Sequence, residues 1–199
     1  MMKPALRIER LKGRAILDRL DDLARLRIAV FRDFPYLYDG GMEYETGYMR
    51  TYSESADAVL IAAFDGDKTV GASTAVPLKD ASEECIKPFA AQGHDIGSIF
   101  YFGESVLLRP YRGRGVGLRF FEEREAAAKA HGGIEIATFC AVERPDDHPL
   151  RPKDYMPLDR FWEKRGYARH AELVAKFHWR DLTDGMDSEK SLVFWLKRV

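Results

Sequence analysis

The period of the apolar positions changes along this chain, and each change marks an element. Ala5 to Leu11 alternates, with Leu6 and Ile8 set against Arg7 and Glu9, which predicts a short strand. From Ala15 to Phe34 the apolar positions are Ile16, Leu17, Leu20, Leu23, Leu26, Ala29 and Val30, a helical spacing that Pro35 stops. Asp18, Asp21 and Asp22 fall early in that run and Arg25 and Arg27 later, which suits the helix macrodipole. An aromatic loop from Phe34 to Gly41 leads into a helix over Met42 to Thr51, with Tyr44 and Tyr48 one turn apart. Ala58 to Phe64 has the pattern of a buried strand. Asp65-Gly66-Asp67-Lys68 is turn chemistry and Thr69 to Val76 a second strand, so the three segments form a hairpin.

Further on, Lys79 to Gln92 reads as a helical insertion interrupted by Pro88, and Ile96 to Leu108 as a long strand. A strong helix pattern then runs to His131, where Gly132-Gly133 ends it. Ile134 to Val142 is strand-like, Glu143 to Pro157 is a polar loop with four prolines, and Leu158 to Arg165 is a short helix closed by Gly166. Leu173 to Arg180 and Leu192 to Lys197 are strands joined by a polar connection. Strand–helix–strand in the middle implies a parallel pair, and the flanking hairpins imply antiparallel edges. The expectation is a mixed α/β fold in a single domain over residues 1–199, with the helical insertion near 79–95.

Composition narrows the function. Among 199 residues, 31 are Lys or Arg and 32 Asp or Glu, for a formal net charge of −1, which argues against wholesale binding to nucleic acid or an anionic membrane. The longest apolar run, Ala58 to Phe64, is far below the roughly 20 residues a membrane span needs. The N-terminus has no cleavable apolar segment. Cys85 and Cys140 stand far apart with no CxxC pair, so a reducing cytoplasm is the expected home. His94, His131, His148, His170 and His178 never fall at ligand spacing with a second His or Cys, so no metal is expected.

The candidate chemistry lies between Tyr101 and Leu118. A strand runs into Arg112-Gly113-Arg114-Gly115-Val116-Gly117, and this loop opens a helix. Glycines let backbone N–H groups converge on a ligand, the helix N-terminus adds partial positive charge, and two arginines add full charges. The combination suits an anion such as a pyrophosphate; a tight turn with solvated Arg112 and Arg114 is the alternative. The GxGxxG dinucleotide fingerprint and the GxxxxGK[ST] phosphate loop are both absent.

Arg112-x-x-Gly115-x-Gly117 resembles the Q/R-x-x-G-x-G/A motif of the GNAT acyl-CoA N-acyltransferase superfamily, and the element order from about residue 5 to 197 is similar too. The resemblance implies a central twisted mixed sheet with a splayed parallel strand pair. It implies acetyl-CoA or a short acyl-CoA as cosubstrate, with Val106 and Leu107 lining the pantetheine and Arg112, Gly113, Arg114, Gly115, Val116 and Gly117 cradling the phosphates. The chain departs from the family's pattern in two places. Pro110 is displaced by one residue from the usual position. Where the family often has the tyrosine that protonates the leaving thiolate, this chain has Trp162, whose indole is no general acid; the family's Asn position falls on Tyr155, which becomes the candidate donor. Phe161 and Trp162 are expected to pack the short helix against the core or the cofactor.

The implied reaction is direct attack of an amine on the thioester, with a backbone N–H, that of Leu107, at the oxyanion. Glu104 is the candidate base, with a carboxylate hydrogen-bonded inside the sheet as its alternative reading. Cys140 would permit an acyl-cysteine route, but a buried inert thiol is the simpler reading. Tyr36 and Tyr38 in the aromatic loop and His148 in the proline-rich loop are candidate acceptor contacts, cation–π clamping being one use of the rings. Glu122, Glu123, Arg124, Glu125 and Lys129 read as a solvated helix face. The acceptor is a small-molecule amine, a peptide N-terminus or a lysine, and exposed final strands would allow a homodimer. The rival readings are a CoA-binding sensor without catalysis and a nucleotide-binding protein using the same loop.

Overall fold

Residues 6–199 are described by the computed structural model; Ala5, at the start of the first expected strand, lies outside the described residues. The strands β1 (Arg7–Leu11), β2 (Val59–Asp65), β3 (Lys68–Pro77), β4 (Ile99–Leu107), β5 (Ile136–Val142), β6 (Ala168–Trp179) and β7 (Ser188–Arg198) form one sheet in the order β1-β2-β3-β4-β5-β7-β6. Only β4 and β5 run parallel; the other neighbours are antiparallel. The helices are α1 (Arg14–Leu17), α2 (Leu20–Phe31), α3 (Met42–Glu54), α4 (Glu83–Ala91), α5 (Val116–His131) and α6 (Asp159–Glu163).

Alternation along the strands feeds two cores. Ile16, Leu23, Leu26, Met49 and Phe89 of α1 to α4 pack on Leu60, Tyr101 and Phe194. On the other face Val116, Phe120, Phe121 and Ala128 of α5 pack on Ile61, Phe100, Phe102, Phe139 and Trp195. Two helix expectations are corrected. The helix foreseen from Ala15 to Phe34 breaks at Asp18–Arg19 into α1 and α2 and ends at Phe31; Asp21 and Asp22 therefore sit in the first turn of α2, where they meet its positive end. Pro88 does not interrupt α4: one backbone bond is forgone, and burial of Cys85 and Phe89 against the sheet holds the helix.

Two irregularities of β4 set up the site. First, Ala75 pairs with Phe102 and Ser73 with Ser105, so Thr74 of β3 faces both Gly103 and Glu104, a β-bulge. A Cβ at Gly103 would stand 2.3 Å from Tyr52 Oη and 2.4 Å from Thr74 Oγ1, so any side chain here would have to displace these two buried neighbours. Second, β4 and β5 pair from Ile99–Ile136 to Tyr101–Thr138 and then part, although β4 runs on to Leu107 and β5 to Val142. The parting opens a V-shaped slot at the centre of the sheet.

Candidate active site

The slot continues into a cleft of about 1720 Å³. Gly113, Gly115, Val116 and Gly117 at the start of α5 line one end, with Arg109 and Arg112. Gly113 and Gly115 have φ of 75° and 78°, and a Cβ on either would enter open space. The loop backbone is therefore bare to the cleft and takes a conformation that L side chains rarely adopt. Arg109 Nε donates to Asp33 Oδ2 at 2.9 Å and Arg112 Nε to Leu107 O at 3.1 Å, which tie the loop to β4 and to the end of α2. The bare backbone, the helix N-terminus and the arginines fit a pyrophosphate.

The edge of β4 facing the slot is also available. Leu108 N–H donates to Val70 O on β3 at 3.0 Å. By alternation the N–H and C=O of Leu107 point the other way, into the slot, where the carbonyl meets Arg112.

At the bulge, Glu104 is held from α2: Arg27 Nη1 donates to its Oε2 at 2.9 Å, while Arg27 Nε donates to Glu45 Oε2 from α3. The guanidinium also lies over the rings of Phe31 (4.9 Å) and Tyr48 (4.6 Å). Burial alone would lower the pKa of Arg27, but Glu104, Tyr48 and Glu45 raise it further, so the cation is fixed. Oε1 of Glu104 is buried and takes no hydrogen bond from the described residues.

Several expected site residues meet here. Glu104, Leu107, Arg112, Gly113, Gly115, Val116, Gly117, Tyr36, Tyr155 and Trp162 all line the one cleft. Tyr155 stands edge-on to Phe34 at 4.7 Å with Arg151 over its ring at 5.2 Å, and burial raises its pKa. Trp162 packs against Phe139 at 5.0 Å and Trp195 at 5.1 Å, forming the wall beside β5.

Others are corrected. The Val106 side chain does not line the slot: the bulge reverses the alternation and sends it into the core with Leu23 and Leu26, leaving Leu107 on the cleft side. The Arg114 side chain turns back to Pro110 O at 2.9 Å and over Tyr111 at 5.1 Å, so only its backbone belongs to the loop. His148 does not line the cleft; its Nδ1 accepts from Leu150 N–H at 3.2 Å, a local turn contact. Tyr38 lines a second cavity, not the cleft itself. Arg124 is not solvated but 1% exposed, between the faces of Phe102 (4.5 Å) and Phe121 (4.7 Å), and burial pushes its pKa down to about 10.

Two groupings come from residues the sequence reading passed over or kept apart. Arg144 donates to Pro35 O (2.8 Å), Tyr36 O (2.8 Å) and both oxygens of Asp181, clamping the aromatic loop to the end of β6. The two cysteines, read as belonging to different contexts, come together: Cys140 lies 3.5 Å from Tyr101 Oη, and a hydrogen bond with Cys85 plus burial hold its thiol well above the usual range.

No family model matches the sequence, and no curated protein matches it. Solved structures match along nearly the whole chain. The PaiA N-acetyltransferase of Thermoplasma acidophilum, in complex with coenzyme A, is 14% identical over 98% of this chain and 100% of its own, with a TM-score of 0.55. An acetyltransferase of the GNAT family from Streptococcus pneumoniae is 15% identical over 98% and 100%, with a TM-score of 0.58. Arabidopsis thaliana NAA60, in complex with a bisubstrate analogue, is 14% identical over 98% of both chains, with a TM-score of 0.58. The chain has the GNAT fold, an α/β fold with one parallel pair in a seven-stranded mixed sheet.

Proposed function

We propose that the protein is an acyl-CoA-dependent N-acyltransferase that moves an acetyl or short acyl group to an amine. The observation that carries this reading is the joining of the slot between β4 and β5 to the bare glycine loop of α5 in one cleft. The likeness in fold to acetyltransferases, one in complex with coenzyme A, supports it. The two free cysteines make the reducing cytoplasm the proposed home.

When bound, the thioester supplies an activated acyl group. The N–H groups of Gly113 to Gly117 and the N-terminus of α5 hold the pyrophosphate, with Arg112 adding charge. Leu107 lines the pantetheine arm. An acceptor ammonium has a pKa near 10 and must lose a proton before attack. Glu104, whose Oε1 is unpartnered, accepts that proton, and Arg27 holds the carboxylate in place. The N–H of Leu107 also faces the position where negative charge develops. Tyr155 keeps its proton at neutral pH, gives it to the leaving thiolate, and is reprotonated by the second proton that the attacking nitrogen loses as the adduct collapses.

A catalytically degenerate CoA-binding module is the second reading, favoured by Trp162 at the usual acid position. The two are separated by release of free CoA from acetyl-CoA in the presence of an amine panel. Release that depends on an added amine supports the enzyme; binding of CoA with no release above buffer supports the module.

A further inference from the structure

Behind Glu104 the cleft opens into a second cavity of about 380 Å³, bounded by α2, α3, the aromatic loop and the end of β6. Its walls carry two stacked ring pairs: Tyr36 on Trp179 (6.0 Å, 27°) and Tyr44 on Tyr48 (6.5 Å, 8°). Burial raises the pKa of Tyr36 and of Tyr48, so both rings stay neutral and present π faces rather than phenolates. The floor is Glu104, which lines this cavity as well as the main cleft. Arg27, Glu45 and Glu104 together count one positive and two negative charges, with the Glu104 side chain 2% exposed. A buried carboxylate oxygen without a donor is costly unless a ligand supplies one.

We propose that this cavity seats the acceptor, and that the acceptor is a compact primary amine on an apolar ring, not a lysine or chain terminus of another protein. The ammonium approaches the Glu104 carboxylate, whose Oε1 takes no hydrogen bond from the described residues. The ring lies between the two stacked pairs, where aromatic faces attract both an apolar body and a nearby cation. The volume is at the lower end of the range for small-molecule sites, which suits a compact body held on several sides. The wall also carries Asp39, paired with Arg180, and Asp187; a peptide would have to bring polar backbone between the ring pairs. This inference rests on the acyl-transfer reading above and adds the acceptor class to it.

The experiment has two parts on the full-length protein. Thermal melts with acetyl-CoA first establish that the donor binds. Acylation at saturating acetyl-CoA is then compared for 2-phenylethylamine, putrescine and the tripeptide Ala-Ala-Ala, in the wild type and in Tyr44→Ala. Tyr44 is 63% exposed at the cavity mouth, so this variant is expected to fold, and its melt checks that. The expected result is kcat/KM for 2-phenylethylamine at least tenfold above the other two. Tyr44→Ala is expected to raise the KM for that amine about two- to fivefold, the scale for an exposed ring, with the KM for acetyl-CoA unchanged. A tripeptide or diamine that matches the aromatic amine overturns the inference, as does a Tyr44→Ala variant with unaltered KM. If acetyl-CoA shifts the melt and 2-phenylethylamine is not acylated, the acceptor assignment alone fails. If acetyl-CoA gives no shift, the acyl-transfer reading fails with it.

Discussion

Arg27 Nη1 donates to Glu104 Oε2 at 2.9 Å, and this contact joins the middle of α2 to the bulge of β4. The guanidinium also serves Glu45, so one cation compensates two carboxylates whose side chains are 0% and 2% exposed. Removing it strands both. Arg27→Met is expected to destabilise the fold by about 3–5 kcal/mol, the scale for breaking a buried ion pair. Urea denaturation checks this; a change below about 1 kcal/mol, the level of a surface pair, contradicts it.

Glu104→Gln preserves the shape of that side chain and removes its basicity. The variant is expected to bind CoA as the wild type does and to lose about 10²–10⁴-fold in kcat, the usual worth of a general base. Isothermal titration with CoA and steady-state kinetics separate the two effects. An unchanged kcat would assign proton removal to another group.

The Cys140 thiol lines the cleft, yet it stands well above the usual thiol range because of its hydrogen bond with Cys85 and its burial. A thiol held that way is a poor nucleophile at neutral pH. Cys140→Ser should therefore keep activity within a few-fold of wild type, and no acyl-enzyme should be trapped when acetyl-CoA is added without an amine. An acylated Cys140 peptide in a mass spectrum would replace direct transfer with a two-step route.

Asp181 contributes to stability on the acid side. Burial raises its pKa, but the Arg144 hydrogen bonds and charge, together with Lys190, outweigh this and leave it below the ordinary carboxyl value. A carboxyl depressed in the folded state contributes stability that is complete above the unfolded value, near about 3.9, and fades as the pH falls through the folded value. Asp181→Asn is expected to lower the melting temperature at pH 7, because Arg144 loses its partner at a side chain only 9% exposed. The gap from wild type should narrow as the medium is acidified below pH 4. A gap that stays constant down to the acid limit would show that the charge of Asp181 does not matter.

Much of this architecture is written in local patterns. The hairpin of β2 and β3 follows from a seven-residue apolar run and the Asp65-Gly66 turn, and the start of α5 from its glycines. The bulge is not visible in that way. The resemblance places both Val106 and Leu107 at the cofactor, whereas the pairing of Thr74 against both Gly103 and Glu104 turns Val106 to the opposite face. Arg124 was hidden by the charges around it, although Phe120, Phe121, Ala127 and Ala128 form one helical stripe that includes it. The cluster of Arg27, Glu45 and Glu104 joins residues 18 and 77 positions apart, and no local spacing announces it.

In the proposed function, the loop at the start of α5 holds coenzyme A. Thermal melts with acetyl-CoA, CoA, ADP and NAD, in the wild type and in Gly115→Asp, test it directly. A ligand at 100 times its dissociation constant adds about 2.7 kcal/mol, and each kcal/mol is worth roughly 2–4 °C at this chain length. A clear rise is expected with acetyl-CoA and CoA and little with NAD. No rise is expected with any of them in Gly115→Asp, where a charged side chain at a φ of 78° distorts the loop and repels the phosphates. No rise with either CoA species in the wild type, or an equal rise in Gly115→Asp, would contradict it.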